Sequence, residues 1–322
     1  MIVQPLSRWT TRVGLSISGV VGLASLTHAQ VKVGLQSSTA TFSQSVYGPP
    51  SLTPDLAIDG DTTSDVNGWA ILENNLTTTS QTAAWEFTSD LDPSQLLVKL
   101  YCNHKSTPKT LLGRFRISVC RSDRAYFADG LFWDGDVTTN WIALTPTSIT
   151  LPSGMTSTIL SDGSVLVGGT IPKQATYEIN FDACVEKMTG IRLEAIEDPS
   201  LPGNGPGTAS NGNFLVNEIE VFRTPIITAS SSDVAPDPFD FVTITAWGGH
   251  PRGAGYLVLE SIDGVPMFSM LDQGIFSDIE LYAVGDTIPP ELTGLTLQFR
   301  VWGACDATGK LVPSDPVVVT IS

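Results

Sequence analysis

Histidine is scarce in this 322-residue chain, with three in all, and 17 lysines and arginines face 33 acidic residues. With His28 set aside for the leader described below, only His104 and His250 remain, and neither belongs to a triad or metal motif. Ser-His-Asp chemistry therefore has no sequence support. The formal charge of −16 repels phosphate backbones, so nucleic acid is excluded as an expected partner. Acidity of this kind also keeps an exported protein soluble and leaves carboxylates to collect divalent cations. The four cysteines stand as Cys102, Cys120 and Cys184 in the first half and Cys305 in the second. That is neither a disulfide framework nor a zinc spacing, and without Cys-x-x-Cys-His there is no covalent haem. The glycine-rich GPG and GNG are not followed by a helix, so a phosphate cradle fails too.

Long apolar runs are also missing, with one exception. Arg8 and Arg12 precede an uncharged stretch from Val13 to Leu26, and Thr27-His28-Ala29 offers small residues at a cleavage site. This is the layout of a secretory signal peptide, residues 1–29. Its apolar part falls short of the roughly 20 residues that span a bilayer. The expected protein is exported to the periplasm, cell surface or medium, with no membrane insertion after cleavage.

Helical periodicity is almost absent as well. Short alternating runs closed by Gly, Pro, Asn, Asp or Ser recur instead, which predicts an all-β protein. The remainder of about 290 residues suggests two domains. Strands are expected near 83–88, 96–102, 114–120, 175–180, 190–196 and 214–222, with 30–40 as a polar lead-in. In 214–222, Leu215, Ile219 and Val221 are expected to face the core, opposite Val216, Glu218, Glu220 and Phe222. Thr224-Pro225 breaks that pattern because proline cannot donate to a continuing ladder. A second set follows near 226–230, 241–247, 256–261, 276–282, 295–302 and 316–321. These fit a sandwich at 30–224 and a smaller immunoglobulin-like sandwich at 225–322. Strand parity sends Cys102 to the core with Leu96, Val98 and Leu100. It places Cys120 with Arg114, Arg116 and Ser118, away from Phe115, Ile117 and Val119. A Cys102–Cys120 bridge is therefore not expected if the two strands share a sheet.

Candidate chemistry begins at LAIDGDTTSDVNGWAIL, residues 56–72. Asp59 and Asp61 bracket Gly60, and Thr62, Thr63, Ser64 and Asp65 follow. Hard cations take six to eight oxygens, and a tight Asp-Gly-Asp turn gathers several of them. The same dipeptide is also ordinary hairpin chemistry. FWDGDVTTNWIAL at 132–144 repeats the pattern with Asp134 and Asp136, as a rim turn or a second cation loop. The aromatic-rich stretch with Tyr126, Phe127, Phe132, Trp133 and Trp141 could offer rings to sugar faces, with Arg121 and Arg124 beside them. Buried core rings are the alternative. Glu194, Glu197 and Asp198 beside a long loop could form a hydrolytic carboxylate pair, although acidic residues near turns are common.

Ala57, Asp59, Gly60, Asp61 and Trp69, together with Glu218 and Glu220 of NEIEVF, resemble discoidin-type, galactose-binding-like domains. There such a turn meets a glutamate of the last strand around a structural calcium. The resemblance implies a jelly-roll sandwich and a calcium set of Ala57, Asp59, Asp61, Ser64 (or Thr63) and Glu218. The gap from Asp61 to Trp69 is longer than the family pattern. Blocks including TATFSQ, AIDGD, GWAIL, LLGRFRIS, WIALTPTS, LSDGSVLVGG, IRLEAIEDPSLPGNGPG and NGNFLVNEIEV resemble a non-haem, β-rich module of large planctomycete-type cytochrome c family proteins. Two departures stand out: Thr208 replaces the usual arginine, and the two groups of blocks come in the opposite order, as in a circular permutation. PELTG and the segment after it resemble a module of exported planctomycete-type proteins that serves as a spacer or adhesion element. Together these imply a non-catalytic, calcium-stabilised binding protein for a carbohydrate or cell-surface glycan. A structural or assembly protein of the cell surface is the alternative, followed by a carboxylate-pair glycoside hydrolase. Tyr126, Trp133, Trp141 and Arg124 are the expected ligand-binding residues.

Overall fold

The computed structural model describes residues 30–45, 50–72, 79–104, 109–122, 141–248, 252–275, 281–288, 290–305 and 309–322. Among them are strands and short 3-10 turns but no α-helix. No helix among them is long and apolar enough to cross a membrane. The chain divides into two compact units, one of Ala29–Thr224 and one containing Pro225–Ser322.

The first unit opens with β1 (Val31–Val33), β2 (Leu35–Ala40) and the small pair β3 (Gln44–Ser45) and β4 (Pro50–Leu52). After a 3-10 turn at Pro54–Ala57 come β5 (Trp69–Ala70), β6 (Gln81–Leu91), β7 (Ser94–Cys102) and β8 (Arg114–Cys120). Next are the short β9 (Trp141–Ala143), β10 (Ser148–Thr150), β11 (Met155–Ile159) and β12 (Val165–Gly169). The last four are β13 (Ala175–Ala183), β14 (Met188–Ala195), β15 (Leu215–Val216) and β16 (Glu218–Pro225). Two sheets result. One has the order β1-β16-β7-β13-β10, and the other runs β11-β12-β8-β14-β6-β2 with β9 added to β8. Residues 30–40 are thus not a lead-in: they supply a strand to each sheet. Both are terminal strands of their sheets with much of their length exposed, which is why VKVGLQSSTA lacks the apolar run of a central strand.

Alternation drives the packing. Phe115, Ile117 and Val119 of β8 and Ile191 and Leu193 of β14 face Val98, Leu100, Ile179 and Val221 of the opposite sheet in one continuous core. Trp69 and Trp85 meet edge-on with centroids 6.5 Å apart, and Trp69 also meets Phe214 at 5.1 Å. Their indole N–H groups donate to Phe42 O at 3.0 Å and Pro54 O at 2.8 Å, so neither buried ring strands a polar atom. Truncating either tryptophan to alanine would cost about 3–5 kcal/mol.

Cys102 and Cys120 are buried free thiols. Cys102 points into the core, where burial pushes its thiol up to about 12. Cys120 lies on the outer face with Ala84 and Trp141. The parity expectation holds, and their strands also lie in different sheets.

The expected single strand at 214–222 is two strands. Phe214 and Val216 join the core, and so do Ile219 and Val221, so the inward phase slips at Asn217. Asn217 is pinned there: its N–H donates to Tyr101 O at 2.7 Å, its side chain donates to Asn67 O at 2.7 Å and it accepts from Asn103 N–H. Leu215, expected inward, is buried but outside the main cluster. The long connection at 198–213 packs inward. Pro206 O accepts from Gly113 N–H at 2.7 Å, and buried Thr208 accepts from Leu111 N–H at 3.0 Å while donating to Lys109 O.

The second unit holds a three-stranded sheet of β17 (Thr228–Ser231), β18 (Phe241–Trp247) and β21 (Leu281–Thr287). Its five-stranded sheet contains β19 (Ala254–Ile262), β20 (Val265–Ile275), β22 (Thr296–Ala304), β23 (Leu311–Pro313) and β24 (Val317–Thr320). Leu297, Phe299 and Val301 of β22 are buried as their alternation requires. β20 was not legible in VPMFSMLDQGI, because its apolar side chains face solvent.

Candidate functional site

The first and last strands of the first unit pair antiparallel, with Val31 opposite Arg223 and Val33 opposite Val221. A second, short antiparallel pairing of β15 with β5, Val216 opposite Trp69, brings the start of β16 and its Glu218 to the Asp59-Gly60-Asp61 turn. Gly60 N–H points at both carboxylate oxygens of Glu218, at 3.2 and 3.3 Å. Gly60 has φ of +86°, a conformation that costs glycine little and turns its N–H toward the strand. Behind it, Gly68 has φ of +137°, and a Cβ there would stand 2.2 Å from Val216 O. The turn and the last strand can approach only because that side chain is missing.

Glu218 is 2% exposed. Desolvation pushes its carboxyl up to about 7, Asp59 and Glu220 add to the rise, and the Gly60 N–H and Lys32 oppose it. Among the described residues no cationic side chain forms an ion pair with it. Glu220, two residues on, differs. Its oxygens take Lys32 Nζ at 2.6 Å and the Tyr101 hydroxyl at 2.7 Å. Burial would raise Glu220, but those partners hold it below the usual range. Tyr101 is pushed up by burial and then by its bond to Glu220.

The remaining expected metal residues lie in the turn. Ala57 is buried at the end of its 3-10 turn. Asp59 Oδ1 accepts from Asp61 N–H at 2.8 Å. Asp61 Oδ1 takes Thr63 Oγ1 at 2.7 Å, Thr63 N–H at 2.9 Å and Ser64 N–H at 3.0 Å, which lowers its pKa. Ser64 Oγ accepts from Asn67 N–H at 3.0 Å. Asp61 and Ser64 thus shape the loop, while Asp59 and Glu218 share the closed corner. Among the described residues no three His, Cys, Asp or Glu side chains converge as a metal-binding group. A hard cation at the corner would have to complete its shell with main-chain and hydroxyl oxygens, which calcium accepts.

Of the expected ligand-binding residues, Tyr126, Trp133 and Arg124 lie outside the described residues, as do Asp134 and Asp136 of the second turn. Trp141 is half-buried on the outer face of the seven-stranded sheet, opposite Cys120 in register, with the Arg192 guanidinium 5.2 Å from its ring centre.

That outer face carries a network the sequence reading did not assemble. Arg116 grips Glu194 through two bonds, Nε to Oε2 at 2.7 Å and Nη2 to Oε1 at 2.8 Å. Arg192 reaches Glu194 Oε2 at 2.9 Å. Arg114 spans Asp162 at 2.9 Å and Asp198 at 3.3 Å. Burial would raise the Glu194 carboxyl, but Arg116 and Arg192 outweigh it and hold it low. Ser164 hydrogen bonds, with Arg114, bring Asp162 down to about 2, and Ser200 with Arg114 lowers Asp198. The available signal was parity: Arg114 and Arg116 on β8 and Arg192 and Glu194 on β14 all alternate with core residues. Glu197, the other suggested catalytic residue, accepts from Ser80 N–H and Oγ, both at 3.3 Å.

No family model and no curated protein matches the sequence. Among solved structures the chain is similar to the family 32 carbohydrate-binding module of C. perfringens NanJ in complex with galactose. There the identity is 12%, the match covers 60% of this chain and 99% of that one, and the TM-score is 0.35. The CBM32-1 and CBM32-2 domains of Clostridium perfringens ZmpB match at 8% identity over 80% of this chain and 88% of that one, with a TM-score of 0.34. A GH2 beta-galacturonidase from Eisenbergiella tayi matches at 10% identity over 91% of this chain and 43% of its own, with a TM-score of 0.26. At these values neither a ligand nor a residue role transfers.

Proposed function

We propose that this is an exported, non-catalytic binding protein whose first sandwich is locked by calcium and recognises a carbohydrate. The observation that carries the reading is the meeting of the Asp59–Asp61 turn with Glu218. Glu218, desolvated, without a cationic ion-pair partner among the described residues and costlier to ionise for having Asp59 beside it, forms with that carboxylate a corner that a bound cation would relieve. Asp59 and Glu218 would supply charge, with Ala57, Asp61 and Ser64 contributing further oxygens from the turn. The sequence likeness to galactose-binding-like modules supports a sugar as ligand. The leader at residues 1–29 supports export, and the second unit reads as an immunoglobulin-like spacer.

At the outer-face acids suggested as a hydrolytic pair, the state of the carboxyls supports a binding role over hydrolysis. A glycoside hydrolase needs one carboxyl protonated at working pH. Glu194 and Asp198 are both held below the usual range by arginine and hydroxyl partners, which suits anchoring and not proton donation.

Calcium raises the melting temperature of the full chain relative to chelator, since an ion that binds only the folded state stabilises it by mass action. Asp59→Ala and Glu218→Ala abolish that response. Identical melts in chelator and in calcium would remove the metal from the reading. A glycan array probed in calcium tests the ligand class. An array with no retained glycan favours the assembly alternative, to which one observation lends weight: Phe268, Met270 and Ile275 stand exposed along β20, at the edge of its sheet.

A further inference from the structure

The outer face of the seven-stranded sheet ends in a cleft of about 350 Å³, within the size range of small-molecule sites. Thr41, Gln81, Thr82, Arg116, Asp162 and Glu194 line it with the part-exposed Ile196. It draws on the ends of β2 and β14 and the starts of β6 and β8, so rigid strands position most of its groups.

The polar groups are already fixed to one another. Thr41 Oγ1 donates to Gln81 Oε1 at 2.6 Å and accepts from Thr82 N–H at 2.9 Å. Arg116 has five N–H groups. Two bind Glu194 and one donates to Asp162 O at 3.2 Å, leaving two uncommitted among the described residues. Asp162 is anchored by Ser164 at Oδ1 and by Arg114 at Oδ2, and stays partly exposed. Each charge in the cleft is thus cancelled by a partner before any ligand arrives. A free anion would meet a carboxylate beside every guanidinium, and a free cation the reverse. A neutral polyol suits this arrangement, because each hydroxyl both donates and accepts and can bridge an arginine N–H to a neighbouring acceptor. Pre-pinned side chains lose little rotamer freedom when they bind it.

We propose that this cleft is the saccharide subsite of the protein, with Arg116, Asp162, Gln81 and Thr82 contacting sugar hydroxyls and the part-exposed Ile196 meeting the C–H face. It rests on the carbohydrate reading above and gives that reading a location, separate from the Asp59–Glu218 corner.

The test is calorimetric titration of the full chain with methyl β-galactoside, methyl β-glucoside and methyl α-mannoside at millimolar concentration, with inorganic sulfate as an anionic probe. At least one glycoside binds, and Arg116→Gln and Gln81→Ala each weaken it about tenfold, the loss of one hydrogen bond to a charged or well-placed partner. Melting curves run alongside. Gln81 lies near the surface, so Gln81→Ala keeps the test open should Arg116→Gln fail to fold. Glycoside binding that survives both substitutions overturns the location and leaves the carbohydrate reading standing. Binding of no glycoside overturns both. Sulfate binding more tightly than any glycoside overturns the neutral-ligand chemistry of the cleft.

Discussion

Two acidic regions of the same sandwich show how neighbours decide what a carboxylate does. At the corner between first and last strands, Glu218 faces a backbone N–H and another carboxylate, and its proton is held to about 7. On the outer face, Glu194 is partly withdrawn from water but lies between Arg116 and Arg192, and it is held ionised. Desolvation acts in the same direction on both, and the sign of the adjacent charge is what turns the outcome. The corner stores electrostatic cost that an ion would release. The outer face has already spent its charge on rigidity. On the proposed reading the first takes a cation, while the second holds groups still.

The comparison can be broken at its geometry first. Gly68→Ala puts a Cβ 2.2 Å from Val216 O in a backbone conformation that disfavours side chains. It should cost about 3 kcal/mol in denaturant unfolding and abolish the calcium response, while leaving the Arg116–Glu194 pair intact. Removing the clamp on the other face comes next. Arg116→Ala leaves Glu194 with Arg192 alone, and with both partners part-exposed the expected loss is about 2 kcal/mol.

Neutral isosteres sharpen the contrast, because the two glutamates should respond with opposite sign. In chelator at pH 8, Glu218→Gln raises the melting temperature by removing a desolvated charge, whereas Glu194→Gln lowers it. Two substitutions moving the same way would refute the comparison.

The smallest effect is in acid. Asp162 has its folded pKa lowered to about 2 from an ordinary 3.8, and Glu194 and Asp198 are lowered too. Their contribution is present above the ordinary carboxylate range and is lost as pH falls from about 4 toward 2. Asp162→Asn should flatten that limb of the melting curve. Glu218, shifted the other way, contributes below its ordinary 4.5 and loses that contribution as pH rises through about 7.

Much of this architecture could be read from residue order. β8, β13 and β22 alternate along their length and β7 and β14 along much of it, so their inward residues and the opposite placement of Cys102 and Cys120 were available before any coordinates. The pairing of Glu218 with the residue-59 turn came from family likeness, and the fold brings the two together. β1, β2 and β20 escaped notice because end-of-sheet strands bury little and so carry weak apolar patterning. The phase slip at Asn217 was hidden for another reason. It is set by hydrogen bonds to Asn67, Tyr101 and Asn103, all more than a hundred positions away in the chain.

Local order alone determined that the described residues are β-structure without α-helix, where their strands turn their apolar sides, and that the chain is acidic. Those properties depend on neighbours one and two residues apart, and the period of a strand exposes them. Which acids are strained and which are satisfied was decided only by tertiary structure. The cause is proximity in space: Asp59 and Glu218 are 159 positions apart and Arg116 and Glu194 are 78 apart, yet the burial and the neighbours that set each glutamate's protonation come from the folded chain.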